Sequence, residues 1–370
     1  LYLKQFLNNG IDTNRSSGTA PMERFSSIGE DYNSRWRANS STEWLPIHEN
    51  QTEDYDNGED LEMVEEILGI VVPVLFSVIA VVGLIGNALV VVVVLCNRQM
   101  RSTTNILIIN LAVADLLFIV FCVPFTAWDY TLTYWPFGDT WCRVVQYLVI
   151  VCACASIYTL VLMSVDRYLA VVHAVRSMSI RTQANAFRSI MLAWVVIFVA
   201  CVPALFSHGV VFIDDLHSFC TFRVDEGYSL AAFHITFCMV GFVVPLALIF
   251  ALYALMLKRL WLSVPPGGRV SAENTRAKRR VTRLVIVVVL VFAVCWCPVH
   301  VVLVLKSVDL YGRRMDAPRI VVQITSQVLA YTNSCVNPFL YAFLSESFRK
   351  GFRKVFFCKR KVVPRHPPRL

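Results

Sequence analysis

The stretch that decides the fold is Ile67–Cys96, ILGIVVPVLFSVIAVVGLIGNALVVVVVLC, which contains no charged residue. A helix needs roughly 20 apolar residues to cross the hydrocarbon core of a bilayer. Because a backbone in lipid must satisfy its own hydrogen bonds, such a stretch predicts an α-helix. Six more apolar stretches follow, at Ile106–Trp128, Val144–Val165, Ser189–Ser207, Tyr228–Leu257, Leu284–Leu305 and Ile320–Leu344. The sequence therefore predicts an all-α membrane protein, a bundle of seven transmembrane helices with the chain ends on opposite sides.

Composition and charge agree with a multi-pass membrane protein. The chain is 56% hydrophobic and 16% charged, which does not suit a soluble domain of 370 residues. Its net charge of +8 is concentrated in the segments after the first, third, fifth and seventh stretches, which the positive-inside rule places in the cytoplasm. Basic residues beside a membrane favour contact with lipid over contact with nucleic acid.

The chain divides into three parts. Residues 1–66 are rich in acids and predict a disordered extracellular tail. Residues 67–344 are the membrane domain, and residues 345–370 predict a cytoplasmic amphipathic helix with a basic tail. No secretory signal peptide is visible at Leu1, so the first helix is expected to act as its own signal anchor. We expect a plasma-membrane location with the N-terminus outside, where the sequons at Asn14, Asn39 and Asn50 are candidate glycosylation sites.

The twelve cysteines fall into different classes. Most lie within helices as small apolar core residues. The pairs Cys152/Cys154 and Cys295/Cys297 are two residues apart and face different directions on a helix, which disfavours metal binding. Cys142 and Cys220 lie on the oxidising side and are expected to form a disulfide. Cys358, in the basic tail, is a candidate palmitoylation site.

Polar and proline motifs recur within the apolar stretches. Asp115 is the only acid inside one of them, which makes it a candidate functional residue or a structural hydrogen-bond partner of Asn87 and Asn337. Prolines predict helix kinks that can act as hinges. The remaining motifs are Asp166-Arg167-Tyr168, Trp194, Pro245, Cys295-Trp296-Cys297-Pro298, Asn337-Pro338-Phe339-Leu340-Tyr341 and an amphipathic helix over Glu346–Phe357.

The order of these motifs along Ile67–Cys358 resembles the rhodopsin-like (class A) G-protein-coupled receptors. The resemblance implies that an extracellular ligand shifts a two-state bundle whose inner end opens toward a heterotrimeric G protein, with arrestin as a further partner. It implies a buried sodium site and a set of activation residues. The sodium ligands would be Asp115, Ser156, Asn333 and Asn337. The activation residues would be Asp166, Arg167, Tyr168, Ile157, Pro245, Tyr253, Phe292, Trp296, Pro298, Asn337, Pro338 and Tyr341.

One position departs from the family pattern. Many relatives hold the arginine that corresponds to Arg167 with an acid at the inner end of the sixth helix. Lys278 stands at that place here, so the acid is absent and basal activity is left open.

Several ligand classes are disfavoured. A retinal Schiff base needs a lysine in the seventh helix, and Ile320–Phe343 contains none. Amine receptors of this family, and likewise opioid and somatostatin receptors, carry an acid seven residues after the cysteine of the third helix. Val149 occupies that position here.

The remaining class is a short neuropeptide. Trp135-Pro136-Phe137-Gly138-Asp139, Asp166–Val172 and Cys295–Val302 resemble the galanin/allatostatin-A receptor branch, and within it the insect allatostatin-A receptors. The resemblance implies an amidated peptide ligand and coupling to inhibitory G proteins, with a galanin-like ligand as the alternative. The expected ligand-binding residues face inward near the outer surface: Gln146, Ile150, Phe222, His300, Gln323, Gln327 and Tyr331. His300 has the alternative of a neutral core residue.

Two other classes of function are disfavoured. A seven-helix transporter usually shows paired repeats and interrupted helices, and this sequence has no internal symmetry. An enzyme would need a nucleophile and base, or a metal cluster, at one depth in the membrane, and none is evident. No cofactor is expected apart from a possible bound sodium ion.

Overall fold

The computed structural model describes residues 51–97, 100, 102–132, 134–212, 217–223, 227–262, 269–308, 310–311 and 317–356. Within them, the side chains of residues 51–62, 64–66, 260–281 and 356 are not described. The predicted glycosylation sites Asn14, Asn39 and Asn50 and the predicted palmitoylation site Cys358 lie outside the described residues.

The chain forms a helical bundle with one β-hairpin. The first half contains α1 Gln51–Cys96, α2 Thr103–Phe121, α3 Val123–Thr131, α4 Gly138–Val172, α5 Ser177–Ile180, α6 Gln183–Ala200 and α7 Pro203–Ser207. An antiparallel hairpin follows, β1 His208–Phe212 and β2 Ser218–Phe222, in which Val210 lies opposite Cys220. The second half contains α8 Leu230–Cys238, a π-helical turn Met239–Val243, α9 Val244–Leu262, α10 Arg269–Ser307, α11 Ala317–Leu344 and α12 Glu346–Phe356.

The prediction of seven membrane helices is confirmed. In the described part of the chain, six helical spans are long and apolar enough to cross a membrane. The seventh, α11, is 28 residues long but carries several amide and hydroxyl side chains, which lower its mean hydropathy. Ser326, Asn333 and Asn337 are buried in the bundle, so this polarity is turned away from lipid. Polar side chains between helices are a common stabilising feature of membrane proteins.

Prolines divide three of the predicted helices. The stretch Ile106–Trp128 is two helices, because Pro124 stands in the first turn of α3 after the break at Cys122. Pro203 likewise begins α7 after α6 has ended. In the fifth span, the N–H of Val244 bonds to the carbonyl of Met239, which widens the helix just before Pro245. Proline has no N–H to donate, so the ladder shifts register beside it.

The N-terminal boundary differs from the prediction. The disordered tail was expected to reach residue 66, but α1 is helical from Gln51 onward. Extending an existing helix avoids the cost of nucleation, and acidic residues are favoured near a helix N-terminus. In the structure, residues 51–66 are therefore part of α1.

Close backbone approach joins α1 to α11. A Cβ on Gly86 would lie 3.0 Å from the side chain of Pro338, a contact tighter than normal packing. On the next residue, Nδ2 of Asn87 donates to the carbonyl of Ser334 at 2.8 Å. This hydrogen bond therefore fixes the axial position of α11 relative to α1.

The amphipathic helix after the seventh span is confirmed as α12. Phe348 is buried and its ring stacks on Tyr341 at 5.4 Å between centroids. The side chains of Lys350 and Arg353 are exposed on another face. A basic face beside an apolar face is typical of a helix that lies on a membrane surface.

Candidate functional site

A cavity of about 410 Å³ lies beneath the β-hairpin. Its lining includes the aromatic and apolar side chains of Phe125, Phe222, Phe233, Phe237, Val149 and Ile150. It also includes the hydrogen-bonding side chains of Thr126, Tyr130, Gln146, Gln323, Gln327 and Tyr331. A cavity with apolar walls and a few convergent polar groups is the usual form of a ligand site.

The hairpin is fixed to the outer end of α4. Cys142 in α4 and Cys220 in β2 form the predicted disulfide. Asp139 accepts a hydrogen bond from the backbone of Val210 at 2.8 Å and pairs with Arg143 at 2.7 Å and Arg223 at 3.2 Å. The neighbouring residues Thr221 and Phe222 line the cavity, so these links hold its outer wall.

Six of the seven predicted ligand-binding residues line this cavity. They are Gln146, Ile150, Phe222, Gln323, Gln327 and Tyr331. His300 is not among the lining residues. Its side chain is 2% exposed, with ring centroids 4.8 Å from Phe237 and 5.0 Å from Phe242. These aromatic side chains from the fifth span cover the imidazole, so it is a core residue.

Several lining residues are not among the predicted ligand-binding residues. The hydroxyl of Tyr130 donates to Oε1 of Gln327, and Thr126 shares a 2.7 Å hydrogen bond with Tyr331. These bonds join α3 to α11 and position the two predicted side chains. Asp129 and Lys306 also line the cavity. Their only sequence signal is that a charged residue ends an otherwise apolar stretch.

A packed column leads from the cavity toward the inner half of the bundle. Trp296 lines the cavity and stacks on Phe292, with 5.8 Å between ring centroids. Phe292 and Ile157 are fully buried in the same core cluster. Pro298 lies within α10, two residues beyond Trp296. A ligand that presses on Trp296 therefore meets a continuous set of buried side chains next to a proline.

The Asp166-Arg167 pair at the inner end of α4 is tied to two other elements. Asp166 accepts hydrogen bonds from Thr104 at 2.9 Å, from Arg181 at 2.7 Å and from Nε of Arg167 at 3.0 Å. A guanidinium nitrogen of Arg167 also bonds to the hydroxyl of Thr104. Arg181 was not predicted. It follows the short helix α5, and it supplies a second positive charge to the same buried carboxylate.

The predicted tyrosine switches lie in separate surroundings. Tyr168 is partly buried, with its ring 5.8 Å from that of His173. Tyr253 and Tyr341 are buried, and neither hydroxyl has a hydrogen-bond partner of normal geometry among the described residues. Lys278 lies in α10, but its side chain is outside the described residues.

The residues predicted to bind sodium are all buried. Asp115, Ser156, Asn333 and Asn337 are each at most 5% exposed. Nδ2 of Asn337 donates to Oδ2 of Asp115 at 2.9 Å. Oδ1 of Asp115 and Oδ1 of Asn337 have no hydrogen-bond partner among the described residues. Free carboxylate and amide oxygens in a buried site fit a hard cation, so the donor set is compatible with sodium.

A buried histidine in the hairpin predicts acid sensitivity. His208 packs between Phe222 and Phe233, and burial lowers its pKa from 6.5 to about 4. As pH falls, the unfolded chain takes up this proton before the folded chain does. The stability that neutral His208 contributes is therefore fully present above pH 6.5 and is lost as pH falls toward 4. The loss is about 3 kcal/mol at most. We expect the thermal unfolding midpoint of the detergent-solubilised protein to fall over this pH range.

The matched variant for this prediction is His208→Phe. It keeps a ring against Phe222 and Phe233 but cannot titrate, so the midpoint should depend less on pH. An unchanged pH slope in this variant would rule out His208 as the cause.

Seven membrane helices, an outer disulfide-linked hairpin and a cavity beneath it define a membrane receptor rather than a soluble protein. A sequence profile described as "7 transmembrane receptor (rhodopsin family)" matches residues 86–341, and the chain belongs to this family. It is 55% identical to an allatostatin-A receptor of Bombyx mori over 312 residues, 84% of this chain and 85% of the relative. It is 40% identical to a galanin-like G-protein coupled receptor of Caenorhabditis elegans, over 80% and 75% of the two chains. It is 42% identical to a somatostatin receptor type 5 of Bos taurus, over 79% and 77%.

Membership in this family decides between the broad classes of function. The matched family and these relatives are receptors, so the chain is a receptor and not an enzyme. The seven-helix transporter is likewise set aside.

Proposed function

We propose that this chain is a receptor for a short amidated neuropeptide of the allatostatin-A type and that it signals through inhibitory G proteins. The observation that carries this proposal is the 55% identity to the Bombyx mori receptor over most of both chains. The cavity supports a peptide with apolar side chains and a neutral amide end. The aromatic side chains in its lining suit phenylalanine and leucine side chains of a peptide. Its glutamine side chains can both donate hydrogen bonds to a primary amide and accept them from it.

The cavity also argues against the ligands of amine, opioid and somatostatin receptors. Val149 lines the cavity at the position where amine, opioid and somatostatin receptors carry an acid. An apolar side chain there cannot pair with a ligand ammonium at this depth. A galanin-like peptide is the second candidate, supported by the similarity to the galanin-like receptor.

The test is a potassium-current assay in oocytes that express the chain with inward-rectifier channels. A peptide ending in Phe-Gly-Leu-amide is expected to open the channels in a dose-dependent manner in the nanomolar range, and galanin is applied in parallel. Block of the response by pertussis toxin would support inhibitory coupling. Silence to the first peptide with surface expression confirmed, or a response to galanin alone, would overturn the allatostatin-A assignment.

A sodium ion at Asp115 is part of the proposed resting state. Asp115, Ser156, Asn333 and Asn337 would hold the ion, which supplies a positive charge to the buried carboxylate. We expect Asp115→Asn to abolish the change in agonist affinity that follows replacement of sodium by choline. Binding of the peptide itself should be retained, because Asp115 is not among the cavity-lining residues.

The measurement is agonist displacement in membranes, in sodium and in choline at equal ionic strength. Cys297→Ser is the control, because this side chain is exposed, free and distant in sequence from the proposed ligands. An Asp115→Asn receptor that keeps the full sodium effect would refute the site.

The orientation and modifications are proposals as well. We place the N-terminus outside at the plasma membrane, with glycans at Asn14, Asn39 and Asn50, a palmitoyl group at Cys358, and arrestin as a further cytoplasmic partner. Glycosidase treatment and asparagine-to-glutamine variants test the glycans by gel mobility. Antibody access to an N-terminal tag on intact cells tests the orientation.

A further inference from the structure

Two hydrogen bonds join α3 to α11 beside the cavity. The hydroxyl of Tyr130 donates to Oε1 of Gln327, and the hydroxyls of Thr126 and Tyr331 share a bond of 2.7 Å. The partners are four residues apart on each helix and pair in opposite order, so the two bonds lie about 6 Å apart along the helices. All four side chains line the cavity, and they are termed the α3–α11 ladder.

Aromatic packing holds the ladder in shape. The ring of Phe76, from α1, lies 6.0 Å from the ring of Tyr130 and 5.0 Å from that of Tyr331, measured between centroids. The ring of Phe118, from α2, lies 4.7 Å from that of Tyr331. Phe76 and Tyr331 are 1% and 4% exposed. The hydrogen-bonding groups are therefore in position before a ligand arrives, which lowers the cost of ordering them on binding.

The ladder offers neutral donors and acceptors that match a primary amide. Because Oε1 of Gln327 accepts from Tyr130, Nε2 of the same side chain is its donor end. The hydroxyl oxygens of Thr126 and Tyr331 have further lone pairs that can accept. With hydrogen bonds of about 2.9 Å on each side, one amide can bridge the two levels of the ladder. A carboxylate has no N–H to donate, and burial of its charge among neutral groups is costly.

The other glutamines that line the cavity have different neighbours. Oε1 of Gln323 accepts from Nζ of Lys306, a cationic group that suits a carboxylate. Nε2 of Gln146 lies 3.7 Å from Sγ of Cys220, beside the disulfide. Asp129, also on α3, lines the cavity as a carboxyl group and gives a carboxylate ligand no counter-charge. The ladder therefore matches a neutral amide better than Gln323 or Gln146 does.

We propose that the α3–α11 ladder binds the C-terminal amide of the peptide ligand and selects amidated peptides over the same peptides with a free carboxylate. Gln327 donates to the amide oxygen, and the hydroxyls of Thr126 and Tyr331 accept from its N–H groups. The apolar side chains that precede the amide then lie against the aromatic residues of the lining. This inference rests on the proposed peptide ligand and names the residues that recognise its end.

The test compares Tyr-Ala-Phe-Gly-Leu-amide with its free acid in the potassium-current assay. The measured quantity is the half-maximal concentration of the acid divided by that of the amide. In the unaltered receptor this ratio is expected to be about 100 or more, because the acid loses hydrogen bonds and buries a charge. Thr126→Val and Tyr331→Phe keep the side-chain shape. Each should weaken the amide about 3- to 10-fold and the acid less than about threefold, so the ratio falls.

A charge exchange guards against a variant that merely folds poorly. The ammonium of Gln327→Lys can pair with the free-acid peptide, so the acid should gain at least about tenfold in potency while the amide loses potency. Gln146→Lys is the matched control, because it places the same cation at a lining glutamine outside the ladder. It should change the ratio less than about threefold.

The outcomes separate the two proposals. If neither peptide activates the unaltered receptor, the proposed function fails and this inference fails with it. If the amide activates the receptor but the acid is equally potent, the role of the ladder is refuted while the receptor assignment stands. The same holds if the hydroxyl variants weaken both peptides equally, or if Gln327→Lys shifts the ratio no more than Gln146→Lys does.

Discussion

The variant Cys220→Ser is expected to lose most of its surface expression and at least about tenfold of its peptide potency, because removal of a native disulfide costs about 2–5 kcal/mol. The bond joins α4 to β2 across a sequence separation of 78 residues. The next two residues, Thr221 and Phe222, line the cavity. Loss of the bond therefore frees this part of the cavity lining.

The measurement combines surface labelling with peptide binding per receptor at the surface. Cys142→Ser should behave like Cys220→Ser, and the double variant should be no worse than either, because all three lack the same bond. Cys297→Ser, at an exposed free cysteine, should be close to the unaltered receptor. A Cys220→Ser receptor with normal surface level and normal affinity would contradict the prediction.

Asp166→Asn is expected to raise ligand-independent signalling and to lower stability by about 3 kcal/mol, the order found when a buried ion pair loses one partner. The carboxylate is 5% exposed and lies against two guanidinium groups, those of Arg167 and Arg181. When the carboxylate charge of Asp166 is removed, Arg167 loses the ion pair that holds it to its own helix. It is then free to engage a G protein, which is the role that the family resemblance gives it.

The readout is binding of a GTP analogue in membranes without peptide, together with the thermal unfolding midpoint. Adding Arg167→Ala to Asp166→Asn should remove the excess signal but not restore stability. Glu346→Gln breaks an ion pair whose side chains are 73% and 53% exposed. The change in basal signalling and the change in stability should therefore each correspond to no more than about 0.5 kcal/mol. Unchanged basal signalling in Asp166→Asn would refute the role of this cluster in restraining Arg167.

The helix count and the disulfide could be predicted from the sequence, but the helix breaks could not. The apolar stretch Ile106–Trp128 reads as one helix, because hydropathy does not register the loss of a single backbone bond at Pro124. The π-helical turn before Pro245 is a matter of backbone register, which no apolar pattern encodes. In the same way, the start of α1 at Gln51 reflects propagation from a helix already formed.

The residues of the candidate site could likewise be predicted only in part. Inward-facing positions near the outer surface could be chosen from helical spacing, and six of the seven chosen residues do line the cavity. His300 lies outside the lining because helical spacing predicts which face of a helix a residue occupies, but not which side chains of other helices cover that face. The rings of Phe237 and Phe242, from another span, cover that face.

The sequence by itself determined the class of protein: seven apolar spans demand helices in lipid, and the order of motifs identifies a receptor family. The tertiary structure alone decided which side chains meet. It brought Arg181 to Asp166 and tied Tyr130 to Gln327. The physical reason is that membrane insertion depends on composition summed along each segment, whereas a site depends on distances between segments far apart in the chain.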